Sequence, residues 1–314
     1  MNPLRGLYGA GVRFRNSLFD RGVLRARRLD KHVISVGNLS TGGSGKTPFV
    51  IALGELLKQR GISFDVLSRG YRRKTRGVLI VDPNGSAADF GDEPLLIARR
   101  LGVPVVVGES RFDAGQLAER KFQSQLHLLD DGFQHRSLTR DYDIALLSAS
   151  DLDDQLLPFG RLREPVSSLA RADAIVVPGD MDLNRLASYD KPVWRTRREI
   201  ELTSPPANPV VFCGIAKEQQ FFAQIRASSI TPAAEIAFGD HHAYDVDDIQ
   251  RLRATARDFH AGGFITTEKD LVNLGDSRSA LDPLAVAQLR LTLDRPADLV
   301  DTILARIAEQ TPRS

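Results

Sequence analysis

From residue 32 onward, short β-branched runs alternate with stretches of helical apolar spacing, a period of two giving way repeatedly to one of 3.6. Residues 32–37, 64–67, 78–81, 103–107, 126–129, 144–147 and 174–177 predict strands, and 94–101 and 112–122 predict helices between them. This alternation predicts an α/β fold, a mostly parallel sheet with helices on both faces. Three prolines within residues 203–209 interrupt the pattern and mark a crossing point. A second, smaller α/β lobe is expected after it. Its strands fall near 210–213, 235–238, 263–266 and 287–291, and a closing helix at 297–308. Two such lobes predict a cleft between them.

Ahead of this pattern, Leu4, Leu7, Tyr8, Val12, Phe14, Leu18, Phe19 and Val23 recur at spacings of three and four, which describes an amphipathic helix. Residues 1–31 carry eight cationic side chains (Arg5, Arg13, Arg15, Arg21, Arg25, Arg27, Arg28, Lys31) against Asp20 and Asp30, a net of +6 in a chain whose total is +2. A helix that is both apolar and basic suits the headgroup layer of an anionic membrane, or else packs on its own domain with solvated arginines. A nucleic-acid tail is disfavoured because the segment is apolar as well as basic.

With 314 residues, 42% of them hydrophobic, the chain can build two cores. Its one cysteine, Cys213, excludes an internal disulfide and fits a reducing compartment. No apolar run reaches the roughly 18 residues that cross a bilayer, so the expectation is a cytosolic or membrane-surface protein.

The first candidate for chemistry is Ser40-Thr41-Gly42-Gly43-Ser44-Gly45-Lys46-Thr47, lying between a predicted strand and a predicted helix. A glycine-rich turn in that position points backbone N–H groups and a helix N-terminus at a polyphosphate, the P-loop arrangement. Lys46 would reach the β- and γ-phosphates of a nucleotide and Thr47 would hold Mg²⁺. The strict pattern has glycine at position 40, where this chain carries Ser40.

Three further elements stand out. The apolar strand ending in Asp130-Asp131 would deliver carboxylates to the C-terminal edge of the sheet beside the loop. Adjacent residues of an extended strand face opposite ways, so the two carboxylates should have different duties. Gly91-Asp92-Glu93-Pro94 opens a helix, where Asp92 reads as a cap. Finally, Asp240-His241-His242 lies in a loop of the second lobe, of interest only if that lobe closes over the first.

Together these blocks, with Ser35-Val36-Gly37-Asn38-Leu39, Ser68-Arg69-Gly70-Tyr71, Asp130-Asp131-Gly132-Phe133-Gln134-His135, Leu157-Pro158-Phe159-Gly160-Arg161-Leu162-Arg163-Glu164-Pro165 and Thr266-Thr267-Glu268-Lys269-Asp270, resemble the tetraacyldisaccharide 4′-kinase family of Gram-negative bacteria. The matching blocks span residues 32 to 270 in the family's order, and Ser40 is a residue that family carries in its loop.

The resemblance implies phosphorylation of the 4′-hydroxyl of a tetraacylated glucosamine disaccharide 1-phosphate by ATP with Mg²⁺, peripherally at the cytoplasmic face of the inner membrane. Residues 1–31 are then a membrane-docking helix, 32–203 a P-loop kinase domain and 204–314 the smaller lobe, with no nucleic acid and no obligate protein partner expected. It implies Asp92 as catalytic base, paired with His241 or, because of the doubled histidine, His242. His241 would orient Asp92 or accept the proton onward. Enclosure between lobes should raise the Asp92 pKa, and a charged histidine beside it should lower it. Residues 40 to 47 with Arg111 and Arg163 are assigned to the nucleotide, and Thr47, Asp130, Asp131, Gln134 and Glu164 to the metal and its waters. The other class of reading is a nucleotide-driven switch or metal-delivery GTPase. Against it, the guanine-reading Asn-Lys-x-Asp is absent, Lys269 and Asp270 being adjacent, and no Cys/His cluster has ligand spacing.

Overall fold

A strand buried on both faces sends alternate side chains to opposite layers, and the first strand of the sheet does so over its whole length. The computed structural model describes residues 3–42 and 45–310. In β1 (His32–Asn38), Ile34 and Val36 join a core on one face while Val33 joins a core on the other. The remaining strands are β2 (Phe64–Ser68), β3 (Leu79–Ile80), β4 (Val105–Val107), β5 (Leu126–Asp130), β6 (Tyr142–Leu146), β7 (Ala174–Pro178), β8 (Val193–Glu201), β9 (Val210–Cys213), β10 (Ala234–Ala237), β11 (Phe264–Thr267) and β12 (Leu284–Leu293). The helices are α1 (Pro3–Asp20), α2 (Lys46–Gln59), α3 (Ala87–Phe90), α4 (Asp92–Leu101), α5 (Arg111–Lys121), α6 (Glu218–Ala227), α7 (Val246–Asp258), α8 (Glu268–Leu274) and α9 (Pro296–Ala308).

Among the described residues the strands form one 12-stranded sheet in the order β10-β9-β11-β12-β8-β7-β6-β1-β5-β2-β4-β3. Every pairing is parallel except β3 with β4 and β12 with β8. The expected mostly parallel sheet with two covered faces is therefore present. What the sequence pattern did not reveal is β8, a strand in which Arg195, Arg197, Arg198, Glu199 and Glu201 hide the β signal. It matters, because the antiparallel pair of β8 and β12 is the seam that joins the smaller lobe's strands to the larger lobe's.

A second difference concerns the closing helix. It packs on α2 of the larger lobe, where Leu299, Val300, Ile303 and Ile307 share a core with Phe49, Val50 and Leu53. Its apolar stripe finds there the open flank of α2, and the Trp194 indole N–H on β8 donates to Asp298 at 3.2 Å. The chain thus leaves the first lobe near residue 203 and returns to it through β12 and α9.

Helix α1 is amphipathic as expected, though Leu4 and Leu7 lie outside the described side chains. One face docks on the protein body. Gly9 is buried against Leu156, the Tyr8 hydroxyl donates to the Arg163 carbonyl at 3.2 Å, and Asn16 Nδ2 donates to Glu164 at 2.7 Å. Phe14 (67% exposed) and Val23 (65% exposed) stay in solvent, beside exposed Arg13, Arg21 and Arg25. No helix among the described residues is long and apolar enough to cross a membrane.

Candidate active site

The turn between β1 and α2 is left-handed at Gly42 (φ 91°) and Gly45 (φ 86°), a conformation that costs a side-chain-bearing residue dearly. Gly43 and Ser44 lie outside the described residues. The turn is held from both sides. Asn38 Nδ2 donates to the Ser40 carbonyl at 2.8 Å, the Thr41 N–H to the Arg161 carbonyl at 2.7 Å, and the Arg163 N–H to the Leu39 carbonyl at 2.7 Å. The segment around Arg161 to Arg163 thus clamps the loop. Lys46, the first residue of α2, reaches back over the turn so that its Nζ lies 3.1 Å from Asn38 Oδ1 and 3.6 Å from Asp131 Oδ1.

Parallel pairing of β1 with β5 brings Asp130 and Asp131 beside this turn, where their surroundings differ sharply. Asp131 receives both guanidinium nitrogens of Arg163, at 2.8 and 3.0 Å, besides facing Lys46. Burial would raise its carboxyl, but Lys46, Arg163 and Arg111 together drive it well below the ordinary range. Asp130 is buried with Ser68 Oγ donating to Oδ2 at 3.0 Å, while its Oδ1 has no hydrogen-bond partner among the described residues. Burial, then the neighbouring charges of Glu93 and Asp131, push Asp130 up to about 7. A buried carboxylate oxygen without a described partner, in the same cavity lining as Thr47, suits a hard divalent cation, with water and phosphate oxygens completing its shell. No group of three or more His, Cys, Asp or Glu capable of holding a metal by itself occurs among the described residues. Mg²⁺ does not need one when phosphates share the coordination. Asp131, already saturated by cations, holds Lys46 and Arg163 in place instead.

These residues line a cavity of about 470 Å³ whose opposite wall belongs to the smaller lobe. Its walls include Lys46, Asp130, Asp131, Glu93, His241 and Lys269. Asp92, 5% exposed, stands directly behind them at the start of α4. Its Oδ2 lies 2.7 Å from His241 Nδ1, 3.7 Å from Lys269 Nζ and 3.4 Å from Asn273 Nδ2, and its Oδ1 accepts the Glu93 N–H at 2.9 Å. The N-cap proper is Gly91, so Asp92 is not spent on capping. Burial would raise the Asp92 carboxyl, yet the His241 hydrogen bond and the Lys269 charge outweigh it and leave the pKa lowered. His242 is turned away. It stacks on Phe238 at 4.7 Å and pairs with Asp248 at 2.6 Å, so His241 is the partner of Asp92.

Three expected site residues are not brought into the cavity. Both Glu164 oxygens accept from Arg171, at 2.7 and 2.8 Å, and one also from Asn16, which makes Glu164 an anchor for α1 rather than a metal ligand. Gln134 donates to the Asn38 carbonyl at 2.9 Å behind the loop. Arg111 donates to the carbonyls of Gly108 and Glu109 behind the acidic pair, and burial pulls its pKa down to about 10.

Two residues in the cavity went unassigned in the sequence. Arg198 of β8 lies over the loop so closely that a Cβ on Gly45 would meet its guanidinium at 2.5 Å. Its one hydrogen-bond partner among the described residues is Gln220, at 3.3 Å, so no carboxylate neutralises it. A desolvated arginine aimed at a phosphate-binding turn suits a phosphate oxygen. Lys269 is the other; it lies in the matching block 266–270 without an assigned role there, and no local pattern marks Arg198.

A family model described as tetraacyldisaccharide-1-P 4′-kinase matches residues 1–308. The chain belongs to the tetraacyldisaccharide 4′-kinase family. Two of its relatives, each a tetraacyldisaccharide 4′-kinase, come from Koribacter versatilis and Aquifex aeolicus. The first is 45% identical, covering 99% of both chains, and the second 38% identical, covering 87% of this chain and 88% of its own. The crystal structure of the Aquifex aeolicus family member in complex with ATP superposes with a TM-score of 0.80 at 34% identity, covering 97% of each chain. This kinase family accounts for both the loop and the second, acceptor-facing half of the cavity. The nucleotide-switch alternative accounts only for the loop and is set aside.

Proposed function

We propose that this kinase transfers the γ-phosphoryl group of ATP to the 4′-hydroxyl of a tetraacylated glucosamine disaccharide 1-phosphate. The observation that carries the reading is the single cavity that joins the phosphate-binding turn to the Asp92–His241 pair. Residues 40 to 47, with Arg163 and Lys46, cradle the polyphosphate. Asp131 keeps the two cations from swinging away when the site is empty. Thr47 and Asp130 would hold Mg²⁺, which when bound supplies charge neutralisation at the β- and γ-phosphate oxygens.

The Asp92–His241 pair takes the proton of the sugar hydroxyl as that oxygen attacks phosphorus, with His241 lining the cavity and Asp92 standing behind it. The lowered pKa of Asp92 keeps its carboxylate ionised at neutral pH, so the pair is ready to accept and gains its strength from position more than from basicity. Most of the rate then comes from alignment and from the cations around the transferred group.

The acceptor's four acyl chains hold it in the bilayer at about 0.8 kcal/mol per buried CH₂, so the enzyme must work at the membrane surface. Residues 1–31, with Phe14, Val23 and Leu24 exposed among arginines, are our docking element for the cytoplasmic face of the inner membrane. Residues 32–203 form the kinase domain proper and 204–314 the lobe that closes the cavity and returns β12 and α9 to it.

Incubation with Mg-ATP and the tetraacyl disaccharide 1-phosphate should add one phosphoryl group by mass. Nucleotide hydrolysis without transfer to the lipid would overturn the reading. Because Tyr8 and Asn16 brace Arg163 and Glu164, deleting α1 would disturb the loop clamp. Vesicle flotation of a Phe14→Ser, Val23→Ser, Leu24→Ser variant is the cleaner test, and unchanged flotation would place the anchor elsewhere.

A further inference from the structure

The block from Leu157 to Pro165 matches the family's pattern, yet its first residues carry no role so far. Leu157-Pro158-Phe159-Gly160 forms a tight turn that points apolar side chains outward. Phe159 is 45% exposed, Pro158 is exposed and Leu157 half-buried. One exposed aromatic alone needs no explanation, but a run of three apolar residues at a rigid tip does.

The turn is braced. The Leu162 N–H donates to the Gln155 carbonyl and the Leu157 N–H to the Leu162 carbonyl, each at 2.9 Å, so the chain runs out and back as a short ladder. At the tip the Phe159 and Gly160 N–H groups both donate to the Leu156 carbonyl, at 3.2 and 3.3 Å. Asp154 closes the base, accepting the N–H groups of Gln155 and Arg161 at 2.7 and 3.3 Å and the Arg161 Nε–H at 2.8 Å. A Cβ on Gly160 would stand 2.2 Å from the Gln155 carbonyl oxygen, so a side chain there would force the turn open.

Its two neighbours give the tip a meaning. On one side Leu156 packs on Gly9 of α1 so closely that a Cβ there would meet it at 3.0 Å, and the Tyr8 hydroxyl donates to the Arg163 carbonyl. On the other side the Arg161 carbonyl accepts both the N–H and the hydroxyl of Thr41, and Ser40 forms an antiparallel bridge with Leu162. The segment thus links the apolar, basic N-terminal helix to the phosphate-binding turn.

We propose that the turn 157–160 is a second membrane-contact element that fixes how the cavity faces the bilayer; this rests on our reading of α1 as the docking helix. A helix lying in the headgroup layer leaves the body attached to it free to roll about the helix axis. One apolar contact off that axis removes the freedom. The occupant is a lipid surface, because the acceptor's acyl chains keep the reaction there and because the tip adjoins, through Leu156 and Gly9, the helix that carries exposed Phe14 beside Arg13. Carboxylates near the tip are neutralised, Asp154 by Arg161 at 2.8 Å and Asp153 by Arg185 at 2.5 Å, which leaves the arginines of α1 to set the sign toward anionic lipid. Since the base of the turn holds Thr41, seating the tip sets the angle at which the phosphate-binding turn approaches the surface.

Phe159→Trp in the full chain reads the contact directly. The native sequence has one tryptophan, Trp194, which is buried, so the added indole supplies the responsive signal. On vesicles of phosphatidylglycerol and phosphatidylcholine whose acyl chains are brominated near the headgroup, its emission should shift to the blue and be quenched, while wild-type emission holds. Vesicle-bound protein with an unquenched added indole would overturn the proposal and leave docking by α1 intact; protein that never binds the vesicles would overturn both. A blue shift without lipid that grows with protein concentration would mean that a second copy covers the tip, which also overturns it. In kinetics, Phe159→Asp should raise the KM for the lipid acceptor in vesicles by about tenfold or more, a buried phenylalanine being worth at least about a decade in partition. The KM for ATP and the urea midpoint should stay at the wild-type values, and Phe159→Leu should retain most of the lipid affinity. An unchanged KM for the lipid, or a KM for ATP that rises as much, would overturn the proposal: the first means that the tip meets no lipid, the second that the turn serves only the phosphate clamp.

Discussion

Raising the pH from 6 to 9.5 should remove a distinct share of this protein's stability, and one histidine far from the cavity mouth is responsible. His127, the second residue of β5, is fully buried with Nδ1 2.7 Å from Asp65 of β2 and Nε2 3.3 Å from Glu119 of α5. Burial alone would discharge the ring, but the hydrogen bonds and charges of Asp65 and Glu119 outweigh it and lift its pKa from 6.5 to about 9. The interval corresponds to about 3 kcal/mol at about 1.4 kcal/mol per tenfold change in proton concentration. A raised pKa stabilises the fold fully below 6.5, where the ring is charged in both states. That contribution drains away as pH climbs through about 9, where the folded protein too must give up the proton.

Urea denaturation of the wild type and of His127→Gln, at pH steps from 6 to 9.5, isolates the effect from other titrating groups. At pH 6 the variant should be less stable by about 3 to 5 kcal/mol, because Asp65 is left buried without its cation. The gap should narrow by about 3 kcal/mol by pH 9.5. Parallel stability curves for the two proteins across that range would show that the ring is not charged in the folded state and would refute the argument. The matter reaches function, since β5 carries Asp130 at its far end.

Other expectations concern the cavity directly. Lys46→Ala should lower kcat by on the order of 10³ in the lipid phosphorylation assay, leaving the urea midpoint nearly unchanged. Asp92→Ala should lose about 10² to 10⁴ in rate and still show turnover above background, since the cations remain. Arg198→Gln should raise the KM for ATP by roughly tenfold, read from initial rates, because a charge-assisted phosphate contact becomes a neutral one.

The phosphate-binding turn was legible because it is local: strand, glycines, lysine and helix are contiguous from 32 to 59, and chain order alone sets their geometry. The Asp92–His241 pair spans 149 positions and could be named only through family resemblance. Motif proximity misled at Glu164 and Gln134. Glu164 adjoins Arg163 and Gln134 lies three residues from Asp131, both true cavity residues, yet the backbone turns their side chains behind the loop, toward Arg171 and Asn38. Arg198 was invisible and Lys269, though within the matched block 266–270, had no role for the converse reason, as ordinary cations on a charged strand and a helix start whose meaning comes from what the other lobe places opposite. The strand β8 escaped notice because Arg195, Arg197, Glu199 and Glu201 fill its outer face and Arg198 interrupts the inner one between Trp194 and Ile200, so charge hides the alternation.

The seating of α9 on α2 bears on how the molecule is made. The flank of the phosphate-loop helix is closed by Leu299, Val300 and Ile303, which are synthesised long after the loop they cover. Until then Phe49 and Leu53 lack part of their cover, and the nascent chain presents an oily groove beside an unfinished nucleotide pocket. Competence to bind nucleotide should thus wait until α9 has been made and has docked on α2.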